Sequence, residues 1–85
     1  MISYSVFVES RVAELLLGLN SKERNQLLRL FDKLHNHPFL EGDYVEFDDI
    51  GRPMQALIVG KRAIIFWADH AVKEVKILDV RAAGN

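Results

Sequence analysis

The chain has 85 residues, of which 49% are hydrophobic and 27% charged, with no cysteine and a formal net charge of −1. Residues 1–85 therefore hold one hydrophobic core and are expected to form a single domain; the composition excludes a disordered chain, a disulfide framework and a thiolate metal site. The opening MISYSVFVES lacks the basic flank of a secretory signal and no apolar run approaches the roughly 18 residues of a membrane span, so a cytoplasmic protein with no membrane partner is expected.

Residues 2 to 8 alternate, with Ile2, Tyr4, Val6 and Val8 on one side and Ser3, Ser5 and Phe7 on the other, which predicts a first strand with one apolar face. A helical period follows: Val12, Leu15, Leu16 and Leu19 fall on one stripe of a helix from Ser10 to Gly18 or Leu19. Ser21 is the expected N-cap of a second helix, with Glu23 near the positive end of its dipole. Leu27, Leu30, Phe31 and Leu34 repeat the stripe until Asn36 and Pro38 end it. Two amphipathic helices joined by Asn20 and Ser21 make a hairpin that needs a sheet to cover.

After a loop at Phe39 to Gly42, Tyr44, Glu46 and Asp48 alternate with Val45, Phe47 and Asp49 in a short acidic strand. Gly51, Arg52 and Pro53 supply a turn. Strands are predicted at Met54 to Val59, Arg62 to Ala68 and Lys73 to Val80, with turns at Gly60–Lys61 and Asp69–Ala71. Hairpin-length connections make these later strands antiparallel. The expected fold class is α+β: an N-terminal strand and an antiparallel two-helix hairpin packed on one face of a four- to five-stranded, mostly antiparallel sheet.

Residues 60 to 78 concentrate the interesting chemistry, holding the only tryptophan and four of the eleven basic side chains. Gly60, Lys61 and Arg62 head a strand that runs through Ala63, Ile64, Ile65, Phe66 and Trp67, and the last strand reads Val75, Lys76, Ile77, Leu78, Asp79, Val80 and Arg81. With the helical hairpin ending at Asn36, His37 and Pro38, these segments resemble the RelE/ParE superfamily of toxins from toxin–antitoxin pairs over nearly the whole chain. The family places a glycine, a variable residue and an arginine at the head of the penultimate strand. The resemblance implies a toxin neutralised by a cognate antitoxin protein. RelE-like members are endoribonucleases that cut mRNA on the ribosome and inhibit translation; ParE-like members bind DNA gyrase. A catalytically degenerate homologue that only binds its antitoxin is the further alternative.

Cleavage of RNA by attack of a ribose 2'-hydroxyl on phosphorus requires a proton acceptor, cationic stabilisation of the phosphoryl oxygens and a proton donor to the leaving oxygen. No metal or other cofactor is expected. The resemblance points to Arg62 and, near the end of the last strand, Arg81 as catalytic candidates, since a guanidinium fork bonds two phosphate oxygens at once. Lys61, Arg52 and Lys76 are RNA-binding candidates. A four-residue turn in the last hairpin would set Arg62 opposite Asp79 in a cross-strand ion pair. RNA-cutting members commonly carry a tyrosine or histidine after the last strand, and none follows Arg81 here.

Other residues have competing readings. His70 could stand in as an acid or base by residue type but is expected to be a solvated turn residue ~20 Å from Arg62, and Asp69 to support that turn. His35 and His37 are too few for a zinc site and suit a helix C-terminus. Glu46 and Asp48 could supply a general base or form a solvated strand face. Trp67 could stack on a base, though its branched neighbours suggest core. Residues 60–85 carry five basic and three acidic side chains, whereas residues 37–59 carry one basic and five acidic, so an acidic strand beside the cleft would oppose phosphate within a Debye length of ~8 Å.

Overall fold

The alternation of Tyr4, Val6 and Val8 and the helical stripes that follow them are all used to build one core. The computed structural model describes residues 2–84, with β1 at Ser5–Val8, α1 at Ser10–Gly18, α2 at Ser21–Asn36, β2 at Tyr44–Phe47, β3 at Pro53–Val59, β4 at Arg62–Asp69 and β5 at Glu74–Ala82. The strands form one sheet in the order β1-β5-β4-β3-β2. β1 runs parallel to β5, and the remaining neighbours are antiparallel. The helical segment between β1 and the later strands provides the length that a parallel pairing requires. Among the described residues no helix is long and apolar enough to cross a membrane.

Both helices lie on one face. Leu27, Leu30, Phe31 and Leu34 of α2 and Val12 of α1 are buried against Ile64 and Phe66 of β4 and Val75, Ile77 and Val80 of β5, with Tyr4 and Leu19 completing the cluster. Each large apolar side chain removed from water there contributes about 1.5–3 kcal/mol before the entropy of ordering is counted. The two predicted stripes are the ones buried, and Leu15 and Leu16 pack at the core margin. Asn20, rather than Ser21, caps α2: its side-chain oxygen accepts from the Glu23 N–H at 2.9 Å. Ser21 begins the helix itself, and an asparagine one residue earlier reaches the same orphan donor. Arg24 then donates to the Leu16 and Leu19 carbonyls at 3.0 and 2.7 Å, satisfying the end of α1.

The register of the last hairpin differs from expectation. Arg62 is opposite Ala82, and Asp79 is opposite Ile65. The turn lies later than the sequence suggested, since Asp69 pairs with Glu74, which moves every partner by two residues. A β-bulge adds a third: Phe66 faces Ile77 while Ile65 faces Asp79, leaving Leu78 as the extra residue of β5. Because side chains alternate, the bulge exchanges faces along β5. Val75 and Ile77 point to the helices before it, Val80 does so after it, and Arg81 is turned to the opposite face.

Two glycines serve close geometry. Gly60 has φ 60° in the two-residue turn that closes the Val59–Arg62 pair, a region that costs L-residues more than glycine. At Gly42 a Cβ would collide with the Ala56 backbone where the chain joins the sheet, and the neighbouring Asp43 N–H donates to the Ala56 carbonyl at 2.7 Å.

Leu34 is fully buried and Leu17 is 81% exposed. Leu34→Ala is expected to lose about 2–5 kcal/mol through transfer and cavity terms, whereas Leu17→Ala should stay within ~0.5 kcal/mol. Urea unfolding of both variants checks this; equal losses would contradict the assigned orientation of the helices.

Candidate functional site

The face of the sheet turned away from the helices carries its own chemistry. Cross-strand partners share a face, so the register places Tyr44 and Glu46 of β2, Met54, Ala56 and Ile58 of β3, Ala63, Ile65 and Trp67 of β4, and Lys76, Asp79 and Arg81 of β5 on this open side. No helix covers it, yet Ala56, Ala63 and Ile65 are each no more than 1% exposed. A salt bridge spans the same face. Arg81 donates through Nη1 and Nη2 to Glu46 Oε2 and Oε1 at 3.2 and 3.0 Å, in a two-bond guanidinium–carboxylate pair. Two strands stand between β5 and β2, a span of ~14 Å at the usual strand spacing, so both side chains lie down across the sheet over the small alanines. Arg81 Nε also lies 3.4 Å from Asp79 Oδ2. Both members of the Glu46 pair retain solvent contact, so its net contribution to stability is small, about 0–1 kcal/mol.

Two strands and the β2–β3 turn meet at Trp67. The Arg52 guanidinium carbon lies 4.2 Å from the indole centroid and Lys76 Nζ lies 5.3 Å from it, within the reach of cation–π attraction. Trp67 is half-buried on the open face, which corrects the expectation of a core residue. It projects from an odd-numbered position of β4, opposite in sense to Ile64 and Phe66. Each cation also has an acidic partner: Arg52 Nε is 2.9 Å from Asp48 Oδ2, and Lys76 Nζ is 3.3 Å from Asp69 Oδ2. The Arg52 Nε hydrogen is not aligned on that oxygen, so the contact is chiefly Coulombic.

Asp48 also organises the β2–β3 turn, its Oδ1 accepting from the N–H groups of Arg52 at 2.8 Å and Ile50 at 3.0 Å. The Arg52 backbone bond above all, helped by the Ile50 bond and the guanidinium, holds the Asp48 carboxyl below its ordinary value of 3.8 against an opposing effect of desolvation.

The five predicted site residues divide between two places. Arg52, Lys76 and Arg81 share the open face. Arg62 is on the other side, because its partner Val59 packs toward the core, and its Nε reaches Glu23 Oε2 of α2 at 3.2 Å. That pair replaces the expected one with Asp79, which the register places three residues away. Lys61 is exposed in the Gly60 turn, by Lys22 and Gln26 of α2. Glu46 and Asp48, read from sequence as a base or a solvated face, are both engaged by arginines. Nothing local signalled the Glu46–Arg81 pair, since its members are 35 positions apart.

The histidines remain separate. His70 is exposed, but it is not free in solvent: its Nδ1 meets the Tyr4 hydroxyl at 2.8 Å and its ring stacks on Phe39 with centroids 5.0 Å apart. Asp69 supports that turn as expected, accepting from the Ala71 N–H at 3.1 Å. His35 Nδ1 donates to the Tyr4 carbonyl at 2.6 Å, tying α2 to the start of β1. Among the described residues no three His, Cys, Asp or Glu side chains cluster as metal ligands. A wide depression of about 810 Å³ between Ile2, Lys33 and the Pro38–Leu40 segment contains none of the five candidate residues.

Fold and face together define a two-layer α+β domain whose free sheet surface bears interlocked acidic and basic groups around one tryptophan. No protein-family model matches the chain, and no curated protein does. Solved structures similar to it include two with the RelE fold. The archaeal RelE–RelB complex from Pyrococcus horikoshii OT3 aligns with a TM-score of 0.82 and 18% identity over 99% of each chain. A free-state arginine-to-alanine double mutant of the E. coli toxin RelE aligns with a TM-score of 0.73 and 13% identity, over 96% of this chain and 85% of that one. The fold is that of RelE.

The depressed carboxyl of Asp48 has a pH signature. Stabilisation of the turn by ionised Asp48 is fully present above 3.8 and is lost as pH falls through the lower folded value. In an NMR titration the Asp48 carboxyl should turn over below 3.8, and Asp48→Ala should speed amide exchange at Ile50 and Arg52. A midpoint at or above the ordinary value would contradict the assigned hydrogen bonds.

Proposed function

We propose that the chain is the toxin of a toxin–antitoxin pair, a cytoplasmic RelE-like endoribonuclease that cuts mRNA on the ribosome and is held inactive by a cognate antitoxin protein. The observation that carries the reading is the Glu46–Arg81 pair, which sets a carboxylate and a guanidinium fork together in the middle of an open sheet face. The RelE-like fold and the arginine at the head of β4 support the family assignment.

In this mechanism RNA enters over the open face and a phosphoryl group takes the Arg81 fork from Glu46. Glu46 accepts the proton of the 2'-hydroxyl, the 2'-oxygen bonds to phosphorus, and the bond from phosphorus to the 5'-oxygen breaks. The products are a 2',3'-cyclic phosphate and a 5'-hydroxyl. Arg81 stabilises the charge on the non-bridging oxygens. Tyr44, two residues before Glu46 on the same face, delivers the proton to the leaving oxygen. Arg52 and Lys76 attract the RNA backbone on that face and Lys61 does so from the β3–β4 turn beyond its edge, while Arg62, tied to α2, supports the start of β4. The chemistry uses no metal.

A second reading is favoured by one specific observation. Arg52, Arg62, Lys76 and Arg81 each already face a carboxylate, and the net charge is −1, so little basic surplus is left for phosphate. A gyrase-binding toxin, or a homologue that retains only antitoxin binding, fits that neutrality.

Inducible expression in a bacterial host, with growth, transcript integrity and DNA damage followed, separates these readings. The wild type should arrest growth with cut transcripts. Arg81→Ala and Glu46→Gln should each reduce cleavage by the purified protein about 100-fold or more, and Arg62→Ala by less than about tenfold if it acts only through β4. Arrest with DNA damage and intact transcripts would replace the ribonuclease by the gyrase reading, and no arrest would leave antitoxin binding alone.

A further inference from the structure

We propose that Trp67 is the stacking platform for a nucleobase of the bound RNA, and that Arg52 covers it in the free protein and moves to the RNA backbone on binding. The proposal rests on the ribonuclease reading and deepens it, since it names the substrate group that this part of the open face receives.

Position comes first. Glu46 pairs with Met54 across β2 and β3, and the β3–β4 register, which pairs Gln55 with Phe66, brings Met54 beside Trp67. Glu46, Met54, Trp67 and Lys76 therefore form one row across four strands. Two strand intervals separate Glu46 from Trp67, about 10 Å. A base belonging to a nucleotide adjacent to the cleaved phosphate lies within that reach.

The indole's neighbours supply the second argument. A tryptophan needed only for packing would turn to the helix side, where Phe66 and Ile64 are sealed in the core. Trp67 instead stands on the open side with its ring attended by two cations. An aromatic ring flanked by a guanidinium and an ammonium matches what a nucleotide offers: a flat π-surface for the ring and an anion for each cation.

Arg52 is arranged to leave. It is part of the Asp48–Arg52 turn, whose Ile50 is 83% exposed and whose Gly51 has φ 82°. Its Nε is near Asp48 without an aligned hydrogen bond. Its guanidinium is thus held by ring and charge, two attractions that an incoming base and phosphate replace like for like. Lys76 of β5, anchored to Asp69 of β4, stays beside the ring.

The chain has a single tryptophan, so its fluorescence reports this ring alone. The test uses full-length Glu46→Gln protein, so that RNA stays intact, titrated with a labelled single-stranded RNA and with the same strand made abasic. RNA binding is read by anisotropy and the ring by quenching. The expected result is quenching that saturates at the same RNA concentration as the anisotropy, with the abasic strand failing to quench. In the same background Trp67→Ala should weaken binding about 5- to 150-fold and Trp67→Phe should recover most of it. Arg52→Ala should lower the salt dependence by about 0.7 in the logarithmic slope, as for one lost phosphate contact to a single strand. RNA that binds with no quenching and no loss in Trp67→Ala overturns the platform while leaving the ribonuclease reading intact. Absence of RNA binding to the parent protein overturns both.

Discussion

One inserted residue sets the chemistry of this sheet. Leu78 is the extra position in β5; were it paired in regular alternation rather than bulged out, Arg81 would fall on the helix side while Val80 faced water. The bulge keeps Val80 in the core and releases Arg81 to the open face, where it lies across β4 and β3 to meet Glu46. Bulges recur where a strand must re-aim a side chain, and here packing and charge are satisfied by one irregularity. Ala56 and Ala63 are the complement of that geometry: small residues in the two central strands leave room for the arginine and glutamate to lie flat.

Electrostatics follow from the same arrangement. The open face holds Arg52, Lys76 and Arg81 against Glu46, Asp48, Asp69 and Asp79, and the ion pairs account for each of these groups. Such half-exposed pairs add little stability, but they keep cations in place on a surface that lacks a basic excess. An anion arriving there exchanges partners rather than meeting bare charge. An anion bound there would compete with the carboxylates for the arginines, so its binding would depend on the acidic partners as well as on the basic ones.

Much of the scaffold was legible in local pattern. The stripes Leu27, Leu30, Phe31 and Leu34 and Val12, Leu15, Leu16 and Leu19 are each spaced for one helix face, and they supply the helical side of the core, with Leu15 and Leu16 at its margin. Gly60–Lys61 and Gly51–Pro53 marked turns because glycine reaches positive φ and proline cannot extend a ladder inward. Trp67 was misread because branched neighbours say only that a strand is apolar, not which face it shows. Arg62 was paired with the wrong acid because a displaced turn and a bulge together moved its partner by three residues.

By itself, then, the sequence determined the order of elements, the α+β class and which helix faces are buried, since these depend on contacts a few residues apart. Only the tertiary structure decided that Arg62 and Arg81 stand on opposite faces, that Glu46 is Arg81's partner, and that Arg52, Lys76 and Trp67 meet. The physical reason is strand register. Alternation gives each strand two faces but does not choose between them, and only pairing, with its one extra residue at Leu78, makes the choice.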